Sequence, residues 1–509
     1  MFGKIFSASL QGLEAHIVEV EIDVKHGLPG HNIVGLPDAA VKESKNRVEA
    51  AITNSGYVFP LNKYFTINLA PAYLRKEGPM YDLPMAFGIL AVTGQISKKY
   101  LEDSIVLGEL SLEGRIKPIQ GVLSMCLYAK EKGFRRVFLP EKNVEEGALV
   151  QGIDIIPLNN LAQAAAILGD YEPMEKYQID FEKLFEEAVT DTVDFSEVKG
   201  QEFVKRGIEI AAAGGHNLLM IGSPGCGKTM IAKRIPTVLP PMTMEEALEI
   251  TKIYSIIGQL PMHKSLITAR PFRSPHHTVS NIALVGGSSV PRPGAVSLAH
   301  NGVLFLDELA EFKREALEVL RQPLEDGVVT ISRAKSTLTY PAQFMFVAAV
   351  NPCPCGYAFD QTIECTCSPA NRDRYWQKLS GPLLDRIDIQ IEVRRLNEDE
   401  LMQKKTGESS VDIRKRVERA RAIQQKRLHG EPIHCNAQMA PKHIKESCSL
   451  DDSCAQLMRN AIRSLSLSAR SFDKIIKVAR TIADLAGEAS IKSVHLAEAI
   501  QYRGLDRKF

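Results

Sequence analysis

Two hydrophobic periods alternate along this chain. Val18-Glu19-Val20-Glu21-Ile22-Asp23-Val24 puts an apolar side chain at every second position, the pattern of a half-exposed strand. Asp38 is placed to cap a helix that runs to about Asn54, with Gly56 as its stop. Phe65-Thr66-Ile67-Asn68-Leu69 reads as another strand, and Pro84 to Thr93 as an apolar helix. Strands are predicted near Ile105–Leu107 and Val137–Leu139, flanking a helix around Met125–Lys132. This first region, of mixed α/β content, closes near Asp170, and the charged stretch 171–190 reads as a linker of partly helical character.

From Phe195 to about Val393 apolar strands alternate with helices, the signature of a parallel sheet covered on both faces. From Leu396 onward only helices are predicted. In the clearest of them Phe472, Ile475, Ile476, Ala479, Ile482 and Ala483 share one face, and Gly487 ends it. There is no internal repeat and no low-complexity tract.

Composition narrows the function classes only modestly. A length of 509 residues suggests roughly three domains. The balance of 62 basic and 61 acidic residues leaves a net charge of +1, so any basic binding surface has to be local. The start of the chain, with Lys4 and Glu14, is unlike a signal peptide. No apolar run approaches the roughly 20 residues of a membrane span. Nine cysteines in so long a chain argue against a disulfide framework. The expectation is a soluble cytoplasmic protein with no membrane partner.

The chemistry is concentrated in a few motifs. Gly222-Ser223-Pro224-Gly225-Cys226-Gly227-Lys228-Thr229 fits the phosphate-binding pattern G-x-x-x-x-G-K-[ST]. It lies between a predicted buried strand, Leu218–Ile221, and the start of a helix at Met230. Glycines there let backbone N–H groups turn toward phosphate oxygens. Lys228 can reach the β- and γ-phosphates, and the Thr229 hydroxyl can hold Mg²⁺. Val303-Leu304-Phe305-Leu306-Asp307-Glu308 is an apolar strand ending in two carboxylates. Asp307 suits the metal shell, and Glu308 suits polarising the attacking water. The two motifs together predict hydrolysis of ATP with Mg²⁺.

Further segments resemble those of AAA+ ATPases and come in the same order. Asn351, at the end of the strand Phe346–Val350, matches the water-orienting sensor 1 position. Gly381-Pro382-Leu383-Leu384-Asp385-Arg386-Ile387-Asp388 resembles the segment that carries an arginine finger, which makes Arg386 the candidate; its alternative is a structural salt bridge to Asp385 or Asp388. Ser468-Ala469-Arg470 resembles sensor 2, so Arg470 is the second candidate cation, the alternative being a solvated helix start. The stretches 270–278, 283–287, 291–294, 298–302 and 320–334 are long and distinctive. On them the chain is identified as similar to the magnesium-chelatase-like AAA+ family of YifB and the competence protein ComM, over nearly its whole length.

That resemblance implies a multidomain α/β fold. Its parts are an N-terminal ribosomal-S5/Lon-protease-like α+β domain (1–170), the linker 171–190, an AAA+ P-loop core with a parallel sheet and helices on both faces (191–395), and a C-terminal helical lid (396–509). It also implies two inserted hairpins, around 273–298 and 328–341. The second is legible in the residues: Val328–Ser332 and Thr337–Tyr340 are β-like, with Arg333-Ala334-Lys335 at the turn. In ring motors of this clade such hairpins touch DNA, so Arg333 and Lys335 become candidate phosphate contacts, against an ordinary solvated turn. The implied assembly is a homo-oligomeric ring, expected as a hexamer, acting on single-stranded or branched DNA. The rivals are a chelatase-type motor for metal insertion into a tetrapyrrole, and a protein-remodelling ATPase. No D-x-S-x-S metal motif of a chelatase partner occurs in the chain.

Two clusters remain. Cys353-Pro354-Cys355 and Cys365-Thr366-Cys367 could make a tetrahedral Zn²⁺ site, four free thiols or a redox pair. His276 and His277 are expected to make polar contacts in a loop rather than bind metal. In the first domain, Lys76–Pro84 and the segments 107–110, 114–121 and 138–143 resemble Lon-type proteases. Met80 stands at the serine position and Leu123 at the lysine position, and neither can act as nucleophile or base, so no peptidase activity is expected. Lys76 and Lys117 are expected to be solvated, the alternative being contact with a partner.

Overall fold

The computed structural model describes residues 2–504 except 29, 61, 182–183, 185–192, 262–263, 288–290, 334–335, 361, 380, 398–399, 401, 403–406 and 466; of 333 and 336 it describes the backbone alone. The described chain divides into two compact units, one made of residues 1–187 and 247–267, the other of 188–246 and 268–509. Both are mixed α/β.

The first unit is built on a seven-stranded mixed sheet. In spatial order its strands are Gly30–Val34, Lys63–Ala70, Glu14–His26, Phe2–Gln11, Ser104–Val106, Arg136–Pro140 and Asp154–Leu158. The period-two stretch behaves as its alternation demands: Val18, Val20, Ile22 and Val24 are buried while Glu19, Glu21 and Asp23 are not. Asp38 caps the helix Ala39–Asn54 by accepting from Val41 N at 2.8 Å. The helix Asp82–Val92 is buried along its entire length, which explains why it shows no amphipathic period. Its one charged residue, Asp82, is fully buried and takes a forked pair of hydrogen bonds from Arg47 at 2.7 and 3.0 Å.

Residues 247–267, which fall inside the expected 191–395 segment, pack with this first unit. Ser255 at the end of the helix Met244–Ile256 donates to the buried carboxylate of Glu146, which also accepts from Leu123 N at 2.8 Å. A buried carboxylate needs such donors, and here they come from segments more than a hundred residues apart. Lys76 corrects the sequence expectation. It is fully buried, donates to the Pro71 carbonyl, and burial lowers its pKa to about 8. Lys117 is half exposed and pairs with Glu109 at 3.0 Å.

The second unit holds a five-stranded sheet in the order Phe272–Arg273, Val303–Leu306, Met345–Val350, Leu218–Ile221, Ile389–Glu392, and every pair is parallel. Its three central strands are wholly buried, as their unbroken apolar runs require. Beyond residue 396 the described elements are helices, among them Ser410–Arg427, Asp452–Leu465, Ala469–Leu485 and Ser493–Gln501. The predicted face of Ala469–Leu485 is the buried one: Ile475, Ile476, Ala479, Ile482 and Ala483 are at most 1 % exposed. Buried Asp484 keys this region by accepting from Arg427 at 2.5 Å, Asn436 at 2.8 Å and Arg480 at 3.1 Å. In such a network each donor offsets the cost of desolvating the carboxylate.

Candidate functional site

Parallel order brings the chemistry together at one edge of the second sheet. The strands Leu218–Ile221, Val303–Leu306 and Met345–Val350 run side by side, so the residues after their C-terminal ends lie in one crevice. Those residues are the P-loop, Asp307-Glu308 and Asn351.

The P-loop glycines meet three separate backbone demands. Gly225 and Gly227 sit at φ +77° and +93°, where a side chain is strained. A Cβ on Gly222 would stand 2.3 Å from the Val393 carbonyl oxygen. The loop therefore keeps a backbone cradle open at the head of the helix that begins at Lys228. Lys228 is buried, and its Nζ donates to the carbonyls of Gly222 at 2.6 Å and Ser223 at 3.1 Å. The same Nζ lies 3.2 Å from Asn351 Oδ1. Pro224 is exposed, while Cys226 is buried with its thiol 3.8 Å from Lys228 Nζ. Thr229 Oγ1 donates to Asp307 Oδ2 at 2.5 Å.

Asp307 Oδ1 in turn accepts from Glu308 N at 2.9 Å. Glu308 adopts φ +52°, the left-handed region, although it is not glycine. Strain of this kind persists where surrounding structure holds it, commonly at functional sites. Its carboxylate is exposed and lies 3.5 Å from His277 Nδ1. His276 turns instead to Thr278, at 2.9 Å. Both histidines therefore make the polar contacts expected of them. The His277–Glu308 approach was hidden in the sequence, because 30 residues separate the two.

These groups fit a magnesium nucleoside triphosphate. The cradle is open to backbone approach, the buried lysine is satisfied by carbonyls that a phosphate could replace, and a hydroxyl already meets a carboxylate as two ligands of one cation would.

Arg386 and Arg470 stand elsewhere. Arg386 is largely buried, with a side-chain exposure of 12 %; it pairs with Glu325 and donates to the Pro382 carbonyl at 2.6 Å. The ion-pair partner is thus neither Asp385 nor Asp388. Glu325 belongs to the Leu-Arg-Gln-Pro-Leu-Glu stretch 320–325, whose only sequence signal was its distinctiveness. Desolvation, then the nearby charges of Arg470 and Arg321, lower the Arg386 pKa. Arg470 is 65 % exposed and lies 3.9 Å from Asp385. The backbone of the segment is clamped: Asn217 Nδ2 donates to Arg386 O at 2.9 Å, while Lys474 Nζ and Arg503 Nη1 donate to Ile387 O at 3.0 and 2.7 Å. Desolvation pushes the buried Asp388 carboxyl up, but Lys474 and His216 outweigh it and hold the group well below the usual range.

The four cysteines converge. Cys353, Cys355, Cys365 and Cys367 have all their sulfurs within 4.8 Å of one another. Individual S···S distances are 3.3 Å (353–355), 3.7 Å (353–365) and 3.6 Å (355–365), and Cys367 Sγ accepts from Cys355 N at 3.4 Å. This fits a tetrahedral thiolate site. Burial and the neighbouring thiols push Cys353 up to about 12. Against desolvation, the Tyr357 backbone N–H and adjacent thiols hold Cys355 at about 6. The hairpin Val328–Arg333/Ser336–Pro341 is antiparallel, with Val328 opposite Pro341 and Arg333 opposite Ser336. The side chain of Arg333 and all of Lys335 lie outside the described residues. Among the described residues no helix is long and apolar enough to cross a membrane.

Comparison with known proteins agrees with this layout. The family described as magnesium chelatase, subunit ChlI, matches residues 194–401; its N-terminal and C-terminal counterparts match 20–143 and 407–503. The chain is 42 % identical to competence protein ComM of Haemophilus influenzae over 509 residues, 99 % of this chain and 97 % of that one. It is equally identical to protein YifB of Escherichia coli over 500 residues (97 % and 96 %) and to an uncharacterized protein of Mycobacterium tuberculosis over 504 residues (98 % of each). A weaker likeness, 26 % over 175 residues and 32 % of this chain, is to Lon protease of Mycolicibacterium smegmatis. A crevice that brings together Lys228, Thr229, Asp307 and Asn351, within matches that run almost end to end, makes this chain a member of the magnesium-chelatase-like AAA+ ATPase family of YifB and ComM.

Proposed function

We propose that this protein is an ATP-hydrolysing ring motor that moves on DNA, with branched or recombining DNA as its substrate. The observation that carries the ATPase half is the Thr229–Asp307 contact at 2.5 Å beside the Lys228–Asn351 contact at 3.2 Å. Lys228 binds the β- and γ-phosphates, and Thr229 and Asp307 hold Mg²⁺. When bound, the metal nucleotide supplies the phosphoanhydride bond and neutralises charge on it. Glu308 orients and polarises the attacking water, and Asn351 fixes its position. Arg386 leaves Glu325 to serve the site of a neighbouring subunit, with Arg470 beside it. This requires an oligomeric ring, read as a hexamer. The four cysteines hold a structural zinc ion.

The DNA half is supported by the name of the competence protein ComM and by the hairpin 328–341, whose sequence includes Arg333 and Lys335. Residues 1–170 are read as a Lon-like shell without peptidase chemistry, since Met80 and Leu123 occupy the nucleophile and base positions. Residues 396–509 are read as the lid. One experiment separates the rivals: ATP turnover measured with forked DNA, with protoporphyrin plus Mg²⁺, and with an unfolded protein. Stimulation by forked DNA alone is expected. Stimulation by either of the others without DNA would replace this reading.

A further inference from the structure

We propose that the four-cysteine knuckle is a metal-dependent positioning element for the nucleotide loop, so that zinc occupancy and ATP affinity rise and fall together. The proposal rests on the zinc reading of the four thiols, but its evidence lies on the opposite side of the knuckle, where it meets the P-loop. Two contacts define that meeting. Cys353 follows Asn351 by two residues, and Asn351 Oδ1 accepts from Lys228 Nζ at 3.2 Å. Gly356, between the two cysteine pairs, sits at φ +88°, and a Cβ on it would stand 2.5 Å from Cδ and 2.7 Å from Cγ of Pro224. The knuckle backbone therefore lies directly on the P-loop. Within the knuckle, hydrogen bonds from Thr362 chiefly hold the Asp360 carboxyl down at about 2.

On its far side the knuckle is braced by Trp376, whose indole N–H donates to Pro352 O at 3.1 Å. Pro352 lies between Asn351 and Cys353. Among its described residues, the segment between the cysteine pairs contains no helix or strand. Its internal ties include Asp360 Oδ1, which accepts from Thr362 N at 2.9 Å, Thr362 Oγ1 at 2.7 Å and Ile363 N at 3.1 Å, the bond from Asp360 N to Tyr357 O at 3.1 Å, and the four sulfurs. Drawing four thiolates onto one tetrahedral ion removes most of the freedom left to this loop. That ordering is the same ordering the P-loop needs around a nucleotide, because Pro224 and Lys228 share it. Two ligands that order the same segment assist each other, and the coupling is reciprocal.

The test uses the full-length protein loaded with zinc. Elemental analysis counts the metal, a chelator strips it, and a fluorescent ATP analogue reports affinity. Trp376, the only tryptophan of the chain, reports the knuckle through its emission. Stripping should weaken analogue binding about fivefold or more, with recovery on adding zinc. A saturating non-hydrolysable analogue should slow zinc release to the chelator by a similar factor. Gly356→Ala keeps every thiol but sets a methyl against Pro224; it should retain zinc, bind the analogue more weakly and lose the reciprocal effect. If Cys365→Ser with Cys367→Ser fails to fold, the stripped wild-type protein and Gly356→Ala still decide. Failure to bind zinc at all would remove the metal reading and this proposal with it. About one zinc per chain, with affinity and release independent of each other, would overturn the coupling alone.

Discussion

Lys228 is satisfied by two loop carbonyls and the Asn351 amide oxygen, all within 3.2 Å. A buried ammonium group needs such acceptors, and phosphate oxygens are better ones because they carry charge. Lys228→Ala should therefore abolish nucleotide binding without unfolding the protein, as a fluorescent-analogue titration beside a thermal melt would show. Glu308 is different in kind. It is exposed and held in a left-handed backbone by its neighbours, so its role is directed at solvent. Glu308→Gln should keep ATP binding and lose about a hundredfold or more in turnover, because an amide cannot polarise water. Turnover at the wild-type rate would show that Glu308 is not the group that activates water.

Between residue and molecule stand the elements, and the hairpin Val328–Arg333/Ser336–Pro341 carries the DNA argument. Its register puts Ser332 opposite Thr337 and Arg333 opposite Ser336. Its base is anchored: Val329, Ile331 and Tyr340 are buried, and the Tyr340 hydroxyl donates to Pro291 O at 3.0 Å. An anchored base in a segment whose sequence adds Arg333 and Lys335 suits contact with phosphate, which is independent of base sequence and weakened by salt. Arg333→Ala with Lys335→Ala should leave basal ATP hydrolysis nearly unchanged. DNA-stimulated hydrolysis and strand movement should fall sharply, and the salt dependence of DNA binding should flatten by roughly one unit per lost contact. A double mutant that moves DNA at the wild-type rate would reduce the hairpin to a solvated turn.

For the whole molecule the question is how one site is completed. Within one chain Arg386 is bound to Glu325, Asn217 holds its backbone carbonyl, and Lys474 and Arg503 hold the next one, of Ile387. Lys474 lies on the helix Ala469–Leu485 and Asn217 directly precedes the P-loop strand. A clamped backbone with a side chain held by one exposed carboxylate and the Pro382 carbonyl is ready to exchange the carboxylate for a phosphate on another subunit. Arg386→Ala should then retain ATP affinity and lose on the order of a thousandfold in turnover. Mixed with Lys228→Ala, it should regain activity, since each mutant supplies what the other lacks across an interface. Absence of rescue at every mixing ratio, or a protein that stays monomeric with ATP and DNA, would argue against a site shared between subunits.

Local patterns were enough for much of this. The cap at Asp38, the period-two strand ending at Val24, the buried face of Ala469–Leu485 and the P-loop are determined by residues close in sequence, because capping, alternation and glycine turns are short-range effects. They also placed Lys228, Thr229, Asp307 and Asn351 at the ends of predicted strands, and a parallel sheet then has to bring strand ends together. Other features depended on the tertiary structure. No local pattern pairs Arg386 with Glu325 or His277 with Glu308, since these are contacts across 61 and 31 positions of chain. Residues 247–267 join the first unit because Ser255 and Leu123 N satisfy buried Glu146. Lys76 looked solvated because lysine is seldom buried; only the folded chain shows the Pro71 carbonyl that receives it. The sequence by itself determined which groups could do chemistry, because chemical type and local geometry are encoded in neighbouring residues. The tertiary structure decided which partners those groups meet, because ion pairs, buried carboxylates and the seat of the cysteine knuckle on Pro224 depend on distance in space rather than along the chain.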